Sequence, residues 1–222
     1  MELIFQEGDF LVKTLDSSWE VDAALRLRHD VFVDELRWVP PVSSGLEIDA
    51  YDSFAHPIGI FDNNNRLVGH VRLICSPNPF MIEKEFACLL PKDGVFIKTP
   101  SLAESTRICV SREVRNNQVM SMTLGHLLYK AIYHWCKLNK IARLVTIVEK
   151  RYYVLLKRSK FPFEAVGDFS LLGEGILSGI IVLDWGRVED ELSKIRPDFF
   201  NWLTAVNVPQ YARSFNVDKA VA

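Results

Sequence analysis

The sequence of residues 57–74 is Pro57-Ile-Gly-Ile-Phe61-Asp62-Asn-Asn-Asn65-Arg66-Leu-Val-Gly-His-Val-Arg-Leu-Ile74. Two apolar runs flank the polar segment Asp62-Asn-Asn-Asn65, and asparagine tolerates the positive φ that tight turns require. The pattern predicts two antiparallel strands joined by a hairpin turn, which form part of a larger sheet.

A helix is predicted upstream of this hairpin. Ser17 or Ser18 can cap it, its apolar residues recur near helical spacing, and it ends before the prolines at 40 and 41. The helix carries Arg28 and Phe32 on one face. The segment 41–51 is irregular and acidic, so it is interpreted as a loop over a site.

The downstream sequence alternates strands and helices. Strands are predicted at 103–110, 142–148, 161–166 and 179–183, and helices at 118–138, 150–160 and, interrupted by Pro197, at 189–205; a short helical piece is predicted at 82–90. This order predicts an α/β (α+β) fold with a mixed central sheet and helices on both faces. No stretch resembles a linker, so residues 1–222 are predicted to form a single domain.

The composition excludes several classes of protein. With 49% hydrophobic and 24% charged residues, the chain is typical of a soluble globular protein. A net charge of −2 argues against a general nucleic-acid-binding surface. We find neither an apolar run of roughly 18 to 20 residues nor a signal-peptide pattern, so membrane insertion is not expected and a cytoplasmic location is predicted. The four cysteines are widely spaced, so they are predicted to be free thiols, and no metal or cofactor is expected.

Charged residues in strand-like or amphipathic segments are the most informative feature of the chain. They are Arg28, Glu47, Asp49, Asp52, Arg72, Glu104 and Arg107. Such residues are costly to desolvate unless they pair or bind something. One interpretation is a salt-bridge network in which the three arginines hold Glu47, Asp49 and Asp52 to fix the loop. The other is a functional site, which we favour because the set is gathered from a helix, a loop and two strands.

Glu104 and Arg107 make a specific structural prediction. An odd spacing of three residues would place them on opposite faces of a regular strand. They can share a pocket only if the strand is bulged, so we predict a bulge near Ser105-Thr106.

The charged residues occur within motifs that resemble a known family. Arg28-x-x-x-Phe32 with Trp38, Glu47-Ile-Asp49-Ala-Tyr51-Asp52, Val68-Gly-His-Val-Arg72 and Glu104-Ser-Thr-Arg107 follow one another in the order seen in the acyl-homoserine lactone synthases, the autoinducer synthases of quorum sensing. The resemblance covers roughly residues 20–185. It implies a GNAT-like three-layer sandwich in which a splayed, bulged strand pair forms a cleft for an acyl-pantetheine arm. It also implies that residues 1–222 are one acyltransferase domain, with a C-terminal helical extension over about 188–222.

The family reaction implies roles for the remaining residues. It joins an acyl group from acyl carrier protein to the amine of S-adenosylmethionine, a substrate rather than a cofactor, and then closes a lactone with release of methylthioadenosine. By resemblance the acceptor is bound by carboxylates, aromatic faces and arginines, namely Arg28, Phe32, Trp38, Glu47, Asp49, Asp52 and Arg72. Thr146 matches the position where a threonine accompanies preference for 3-oxo acyl chains, although threonine is also a common strand residue.

Glu104 is the candidate general base. A free α-amine is mostly protonated at neutral pH, so its attack on a thioester needs a positioned base, acting directly or through one water. Arg107 is assigned to the catalytic pair with Glu104. The alternative is that the two residues are only ion-pair partners.

Alternatives exist for both the acyl donor and the activity of the protein. The loop from Arg112 to Gln118 contains no glycine that would let backbone amides cradle a diphosphate, which favours acyl carrier protein over coenzyme A. Acyl carrier proteins are acidic, and Lys150, Arg151, Lys157 and Arg158 are predicted to dock them, unless they form only a solvated helix face. A long-chain N-acyl amino acid synthase of the same fold and a non-catalytic module that binds an acyl chain or carrier protein are the rival functions.

Overall fold

The computed structural model describes residues 1–91, 96–116, 118–119, 122–173 and 175–206. Asn117 of the predicted glycine-free loop and the part of the predicted C-terminal extension from residue 207 onward lie outside these residues. The described chain forms two compact units. Unit 1 comprises Met1–Arg72, Arg107–Leu138 and Thr204 onward, and unit 2 comprises Leu73–Thr106 and Asn139–Leu203. The single domain predicted over residues 1–222 stays a prediction.

Unit 1 begins with a hairpin that the sequence analysis did not predict. Strands β1 (Ile4–Glu7) and β2 (Phe10–Thr14) pair antiparallel from Ile4 opposite Lys13 to Glu7 opposite Phe10. The two-residue turn between them contains Gly8 with a φ of 56°, a conformation that glycine adopts without steric cost.

Helix α1 (Ser18–Arg28) follows, with Ser17 at its N-cap position. The carboxylate of Glu20 accepts hydrogen bonds from the backbone amides of Asp16 and Ser17, which fixes the start of the helix. The helix continues as a π-helical segment over His29–Glu35. The predicted helix is therefore confirmed, but its second half is more widely wound than the sequence indicated.

The predicted hairpin is confirmed as β3 (His56–Phe61) and β4 (Leu67–Cys75). Asn65 has a φ of 58°, the conformation for which asparagine was expected at this turn. An Asp62 carboxylate oxygen accepts from the amides of Asn64 and Arg66, each at 2.9 Å.

The chain then forms β5 (Leu102–Val110), the short strands β6 (Gln118–Val119) and β7 (Met122–Thr123), and helix α2 (Leu124–Leu138). The prediction of a helix from Gln118 was wrong at its start, because β6 and β7 pair with each other. Thr123 accepts a hydrogen bond from the amide of His126 at 3.3 Å, and this cap places the helix start at Leu124.

Unit 2 contains β8 (Arg143–Glu149), α3 (Lys150–Arg158), β9 (Glu164–Leu172), β10 (Ile176–Asp184), α4 (Trp185–Ile195) and most of α5 (Pro197–Thr204). The strand predicted at 161–166 begins three residues later and runs further. The helical piece predicted at 82–90 consists of two 3₁₀ turns, Met81–Glu83 and Ala87–Leu89. The predicted break at Pro197 separates α4 from α5.

The strands follow the order β1-β2-β3-β4-β5-β8-β10-β9 in a mixed sheet. The β5–β8 pair is parallel, from Leu102 opposite Arg143 to Ser105 opposite Thr146, whereas β8–β10 and β10–β9 are antiparallel. Arg107, inside β5, has a φ of 54°, which is uncommon for a residue with a side chain and interrupts regular strand geometry. The predicted bulge near Ser105-Thr106 stays a prediction, and the positive φ of the next residue, Arg107, is consistent with it.

Each unit has its own buried residues. In unit 1, Leu27, Val31, Phe32 and Cys109 form one apolar cluster and Leu15, Ala24 and Phe61 form another. In unit 2 the buried residues of β8 and β10 include Val145, Ile180 and Ile181. None of the described helices has the length and apolar character needed to cross a membrane.

Candidate active site

Six charged side chains meet in unit 1, and we call them the charge cluster: Arg28, Glu47, Asp49, Asp52, Arg72 and Arg107. Arg28 ends α1, Arg72 lies on β4, and Arg107 lies on β5. The three carboxylates come from the loop before β3. All six were predicted from the sequence, and the structure brings them together.

Glu47 is shared between two arginines. Its carboxylate accepts from Arg28 Nε at 2.5 Å and from Arg107 Nη2 at 2.8 Å. Its backbone amide donates to the carbonyl of Leu25 at 3.1 Å. This arrangement ties the loop to α1 through both main chain and side chain.

Asp49 and Asp52 occupy the other side of the cluster. Arg72 Nη1 and Nη2 reach the two carboxylate oxygens of Asp49 at 2.5 and 2.8 Å, and Nη1 also reaches Asp52 at 2.7 Å. Arg28 donates to the same Asp52 oxygen at 2.6 Å. The Asp49 amide donates to Asp52 at 2.8 Å, so the loop also bonds to itself.

The cluster has a buried side and a partly open side. Arg28, Glu47 and Arg72 are 1–2% exposed, whereas the side chains of Asp49 and Asp52 are 21% and 20% exposed. Burial opposes ionisation of Asp52, but the hydrogen bond and charge of Arg28 outweigh it and lower the pKa of Asp52 to about 2. Asp52 is therefore an ionised carboxylate, and the side chains of both aspartates have access to solvent.

Aromatic side chains adjoin the cluster. The Arg107 guanidinium carbon lies 5.7 Å from the centre of the Phe32 ring, and the Phe32 and Trp38 rings are 6.1 Å apart. The Trp38 amide donates to the Phe32 carbonyl at 2.9 Å, which fixes the chain as it leaves the π-helical segment. Trp38 is 45% exposed, so part of its side chain is accessible to solvent. π-Helical turns are often found at functional sites.

His70 and Tyr51 both lie within the sequence motifs, but the sequence assigned a role to neither. His70, 1% exposed, places Nδ1 3.1 Å from the carbonyl of Ile58, and its Nε2 has no hydrogen-bond partner among the described residues. Burial lowers the pKa of His70 to about 3, and the charges of Arg28 and Arg72 act in the same direction. Tyr51 lies under Arg72, with the guanidinium carbon 5.7 Å from the ring centre. A tyrosine between two aspartates of a motif is the signal that could have indicated its contact with an arginine.

Glu104 lies in unit 2 and is fully buried. Its two carboxylate oxygens accept hydrogen bonds from the backbone amides of Met81 at 2.6 Å and Ile82 at 3.0 Å. A carboxylate accepts hydrogen bonds through both of its oxygens, and here each oxygen accepts one from the backbone. These amide contacts could not be predicted from side-chain motifs, because the donors belong to the backbone.

Thr146 also lies in unit 2. Its hydroxyl donates to the carbonyl of Ser105 at 2.8 Å, at the end of the β5–β8 register. The hydroxyl oxygen is left as an acceptor.

The predicted docking cations lie on α3. Lys150 stands 4.1 Å from the centre of the Phe169 ring, and Lys157 stands 5.3 Å from that of Phe163. Arg151 and Arg158 are exposed. The two lysines therefore contact aromatic rings, while the two arginines project from the helix.

One further group could hold a cation. Ligand atoms of His29, Asp30 and Asp34 lie within 4.8 Å of one another. His29 Nδ1 is 3.4 Å from an Asp34 oxygen, and both aspartates are exposed. Exposed acidic groups commonly gather without an ion, so we assign this group no role.

Solved structures of other proteins share this fold. A CoA-dependent acyl-homoserine lactone synthase, BjaI, has a TM-score of 0.70 at 22% identity, covering 91% of this chain and 92% of BjaI. FeeM, an N-acyl amino acid synthase from uncultured soil microbes, has a TM-score of 0.59 at 14% identity, covering 82% of this chain and 93% of FeeM. The fold is the GNAT-like acyltransferase fold that the resemblance implied.

Sequence comparison identifies the family. The model of the autoinducer synthase family matches residues 13–188. An acyl-homoserine-lactone synthase of Agrobacterium fabrum is 31% identical over 155 residues, which cover 68% of this chain and 72% of that relative. The chain belongs to the autoinducer synthase family, and it is an acyltransferase of the acyl-homoserine-lactone synthase type, as predicted.

Proposed function

We propose that this enzyme transfers an acyl group from acyl carrier protein to the amine of S-adenosylmethionine and then closes the homoserine lactone, producing a quorum-sensing signal. The observation that carries the proposal is the charge cluster, in which Asp49 and Asp52 remain partly exposed and Arg107 lies 5.7 Å from the Phe32 ring, which is next to Trp38. A sulfonium cation is stabilised by carboxylates and by aromatic faces, and both are present here.

The balance of charge in the cluster supports a zwitterionic acceptor. Three guanidinium groups face three carboxylates, so the cluster is formally neutral. An acceptor that carries both a sulfonium and a carboxylate can place each charge against an opposite one without leaving any charge unpaired. In this proposal Asp49 and Asp52 face the sulfonium, and Arg28 and Arg72 organise the loop or hold the substrate carboxylate.

The reaction proceeds in two bond exchanges. The acceptor amine attacks the thioester carbonyl, the carbon–sulfur bond of the thioester breaks, and the carrier thiol leaves as the amide forms. The substrate carboxylate then attacks the carbon next to the sulfonium, the carbon–sulfur bond to that carbon breaks, and methylthioadenosine departs. The first exchange requires removal of a proton from the amine, and we assign that step to Glu104, directly or through a water.

The test of the base must separate proton removal from structural support. Gln at 104 presents one acceptor oxygen to the two amides of Met81 and Ile82, so Glu104→Gln disturbs the turn as well. If Glu104 is the base, the rate deficit of Glu104→Gln relative to the unsubstituted enzyme shrinks as pH rises through about 8, where a free α-amine deprotonates by itself. A deficit that is constant from pH 6 to 9 would show that Glu104 is not the base.

Acyl carrier protein is proposed as the donor because of the cationic helix α3. The relative BjaI is described as CoA-dependent, so the donor must be tested directly. We expect Arg151→Glu to raise the KM for an acyl carrier protein thioester about tenfold while leaving the KM for the same acyl-CoA unchanged, since charge pairs of this kind act on encounter and docking. Arg26→Glu, at an exposed arginine of α1, is the matched control. Equal kinetics with both donors in the unsubstituted enzyme would contradict the donor assignment.

Product analysis separates this proposal from its rivals. The purified enzyme is incubated with acyl carrier protein thioester and either S-adenosylmethionine or free amino acids. Methylthioadenosine release with an acyl-homoserine lactone supports the proposal. Formation of an N-acyl amino acid without methylthioadenosine would identify a long-chain N-acyl amino acid synthase. An acyl chain that is bound but not transferred would identify a non-catalytic binding module.

Preference for a 3-oxo chain remains part of the proposal. The Thr146 hydroxyl donates to the Ser105 carbonyl, so it must rotate away from that carbonyl to donate to a 3-oxo group. We expect Thr146→Val to lower kcat/KM for a 3-oxo thioester more than for the unsubstituted thioester of equal length. Identical losses for both thioesters would contradict this assignment.

A further inference from the structure

Three successive backbone amides of unit 2 donate to carboxylates. The amide of Phe80 donates to Glu83 at 2.7 Å, and those of Met81 and Ile82 donate to Glu104 at 2.6 and 3.0 Å. All three residues are buried. The first of these amides therefore donates to the partly exposed carboxylate of Glu83, and the other two donate to the buried carboxylate of Glu104.

The sequence explains why a distant carboxylate is needed here. Met81–Glu83 forms a 3₁₀ turn, and Phe80 occupies its N-cap position with an extended backbone. A phenylalanine side chain cannot accept a hydrogen bond, so it cannot satisfy the first amides of the turn as serine or aspartate would. Glu83 satisfies the first amide and Glu104, from β5, satisfies the next two.

A second ionic contact holds the same turn. Lys98 Nζ lies 2.6 Å from the Glu83 oxygen that also accepts the Phe80 amide, and 4.1 Å from the centre of the Phe80 ring. The Lys98 and Glu83 side chains are 16% and 32% exposed. Lys98 thus fixes Glu83 and Phe80 together, and these fix the backbone that contacts Glu104.

We propose that Glu83 and Lys98 are positioning residues, which lock the 80–83 turn so that its amides orient the Glu104 carboxylate for proton transfer. The inference rests on the proposed function, because it presumes that Glu104 is the base. It adds two residues that lie outside the family motifs found in the sequence. Neither residue contacts the reacting atoms in this scheme; both act through the turn.

The positioning role and simple electrostatics predict opposite directions for the shift of the acid limb of the kcat/KM pH profile in Glu83→Ala. The ionisable side chains of the turn and its clamp are Glu83 and Lys98. Removing the negative charge of Glu83 would by itself make Glu104 easier to ionise and shift the acid limb of kcat/KM to lower pH. Loosening the amides that stabilise the ionised carboxylate shifts that limb to higher pH. Glu83→Ala therefore discriminates between the two effects.

The experiment measures pH profiles of kcat/KM and hydrogen exchange of the Met81 and Ile82 amides in Glu83→Ala and Lys98→Met. We expect an acid limb at least half a pH unit higher in both variants, a kcat about tenfold lower, a KM for the amine acceptor within twofold, and amide exchange at least tenfold faster. Lys98→Arg should keep the kcat/KM pH profile of the unsubstituted enzyme, because it retains a cation against Glu83. Lys84→Met, which removes an exposed neighbouring cation, serves as control.

Two results would overturn the inference. One is unchanged amide exchange in both variants, which would mean that the clamp does not hold the turn. The other is faster exchange with an unshifted or lowered acid limb, which would mean that the turn does not orient the base. Failure of the proposed function is detected separately, by the pH-independent deficit of Glu104→Gln.

Discussion

Glu47→Gln is the substitution that tests the charge cluster most directly. The change keeps the size of the side chain and removes one negative charge from a residue that is 2% exposed. Arg28 and Arg107 then share an amide in place of a carboxylate, and the cluster changes from formally neutral to a charge of +1. The amide nitrogen of glutamine is a donor, so it cannot accept from either guanidinium.

Glu47→Gln should lower the free energy of unfolding by a large amount, because the ion pair between Glu47 and Arg28 is buried. Removing one partner of a buried ion pair typically destabilises a protein by about 3–5 kcal/mol. For a chain of this size that corresponds to a fall in melting temperature of roughly 6–20 °C, at about 2–4 °C for each kcal/mol. Urea unfolding followed by tryptophan fluorescence measures the free energy, and differential scanning calorimetry measures the temperature.

The matched control is Glu113→Gln. Glu113 is 76% exposed and lies 3.5 Å from the partly exposed Arg66, so the same chemical change should alter stability by no more than about 0.5 kcal/mol. The double variant Glu47→Gln/Arg107→Met should lose less than the sum of its two single variants, because the two residues interact. A cost for Glu47→Gln equal to that of the control would refute the conclusion that the cluster holds the loop in place.

Three other substitutions test buried features outside the carboxylate network. The pKa of His70 is about 3 in the folded protein against an ordinary value near 6.5. The stability that neutral His70 contributes is complete above pH 6.5 and is lost as the pH falls, by about 2 kcal/mol at pH 5. In urea unfolding, His70→Gln should therefore weaken the dependence of the unfolding free energy on pH over that range, and an unchanged dependence would refute the assignment. Gly179→Ala should destabilise the fold by about 1–3 kcal/mol, because a Cβ there would meet the Phe169 ring at 3.0 Å; a melting temperature unchanged by the substitution would contradict this. Lys130 and Glu7 form a buried ion pair at 2.6 Å. Lys130→Met should lower the melting temperature more than the double variant Lys130→Met/Glu7→Gln, since the single change leaves the buried carboxylate of Glu7 without this cation. Equal decreases would show that the two residues are not coupled.

Sequence patterns predicted the parts of the fold that depend on local chemistry. The β3–β4 hairpin follows from asparagines at a turn, where Asn65 adopts the expected positive φ. The break at Pro197 and the strand–helix–strand passage through α2 and β8 follow from proline chemistry and helical periodicity. The three arginines of the charge cluster were predicted because charges in apolar or amphipathic segments require partners, and the acidic loop that follows α1 supplied the three carboxylates.

The missed elements have identifiable physical reasons. The β1–β2 hairpin carries the signal of a glycine at a two-residue turn. Its strands are only four and five residues long, however, so the alternation of apolar and polar residues was weak. The helix predicted from Gln118 starts at Leu124 because a threonine cap outweighs the helical pattern before it. Only the second error concerns an element boundary, where a short hydrogen-bonded motif overrides periodicity.

The two interpretations of the charged residues in the sequence are not exclusive in the structure. Arg28, Arg72 and Arg107 do hold the three carboxylates, as a purely structural network would. Yet a network serving only stability gains nothing from leaving Asp49 and Asp52 about one-fifth exposed, because exposed ion pairs contribute little. The buried side of the cluster fixes the loop, and the open side leaves the Asp49 and Asp52 carboxylates partly exposed. A site that must bind a cation repeatedly needs both, since carboxylates that were not already held by arginines would have to be ordered at each turnover.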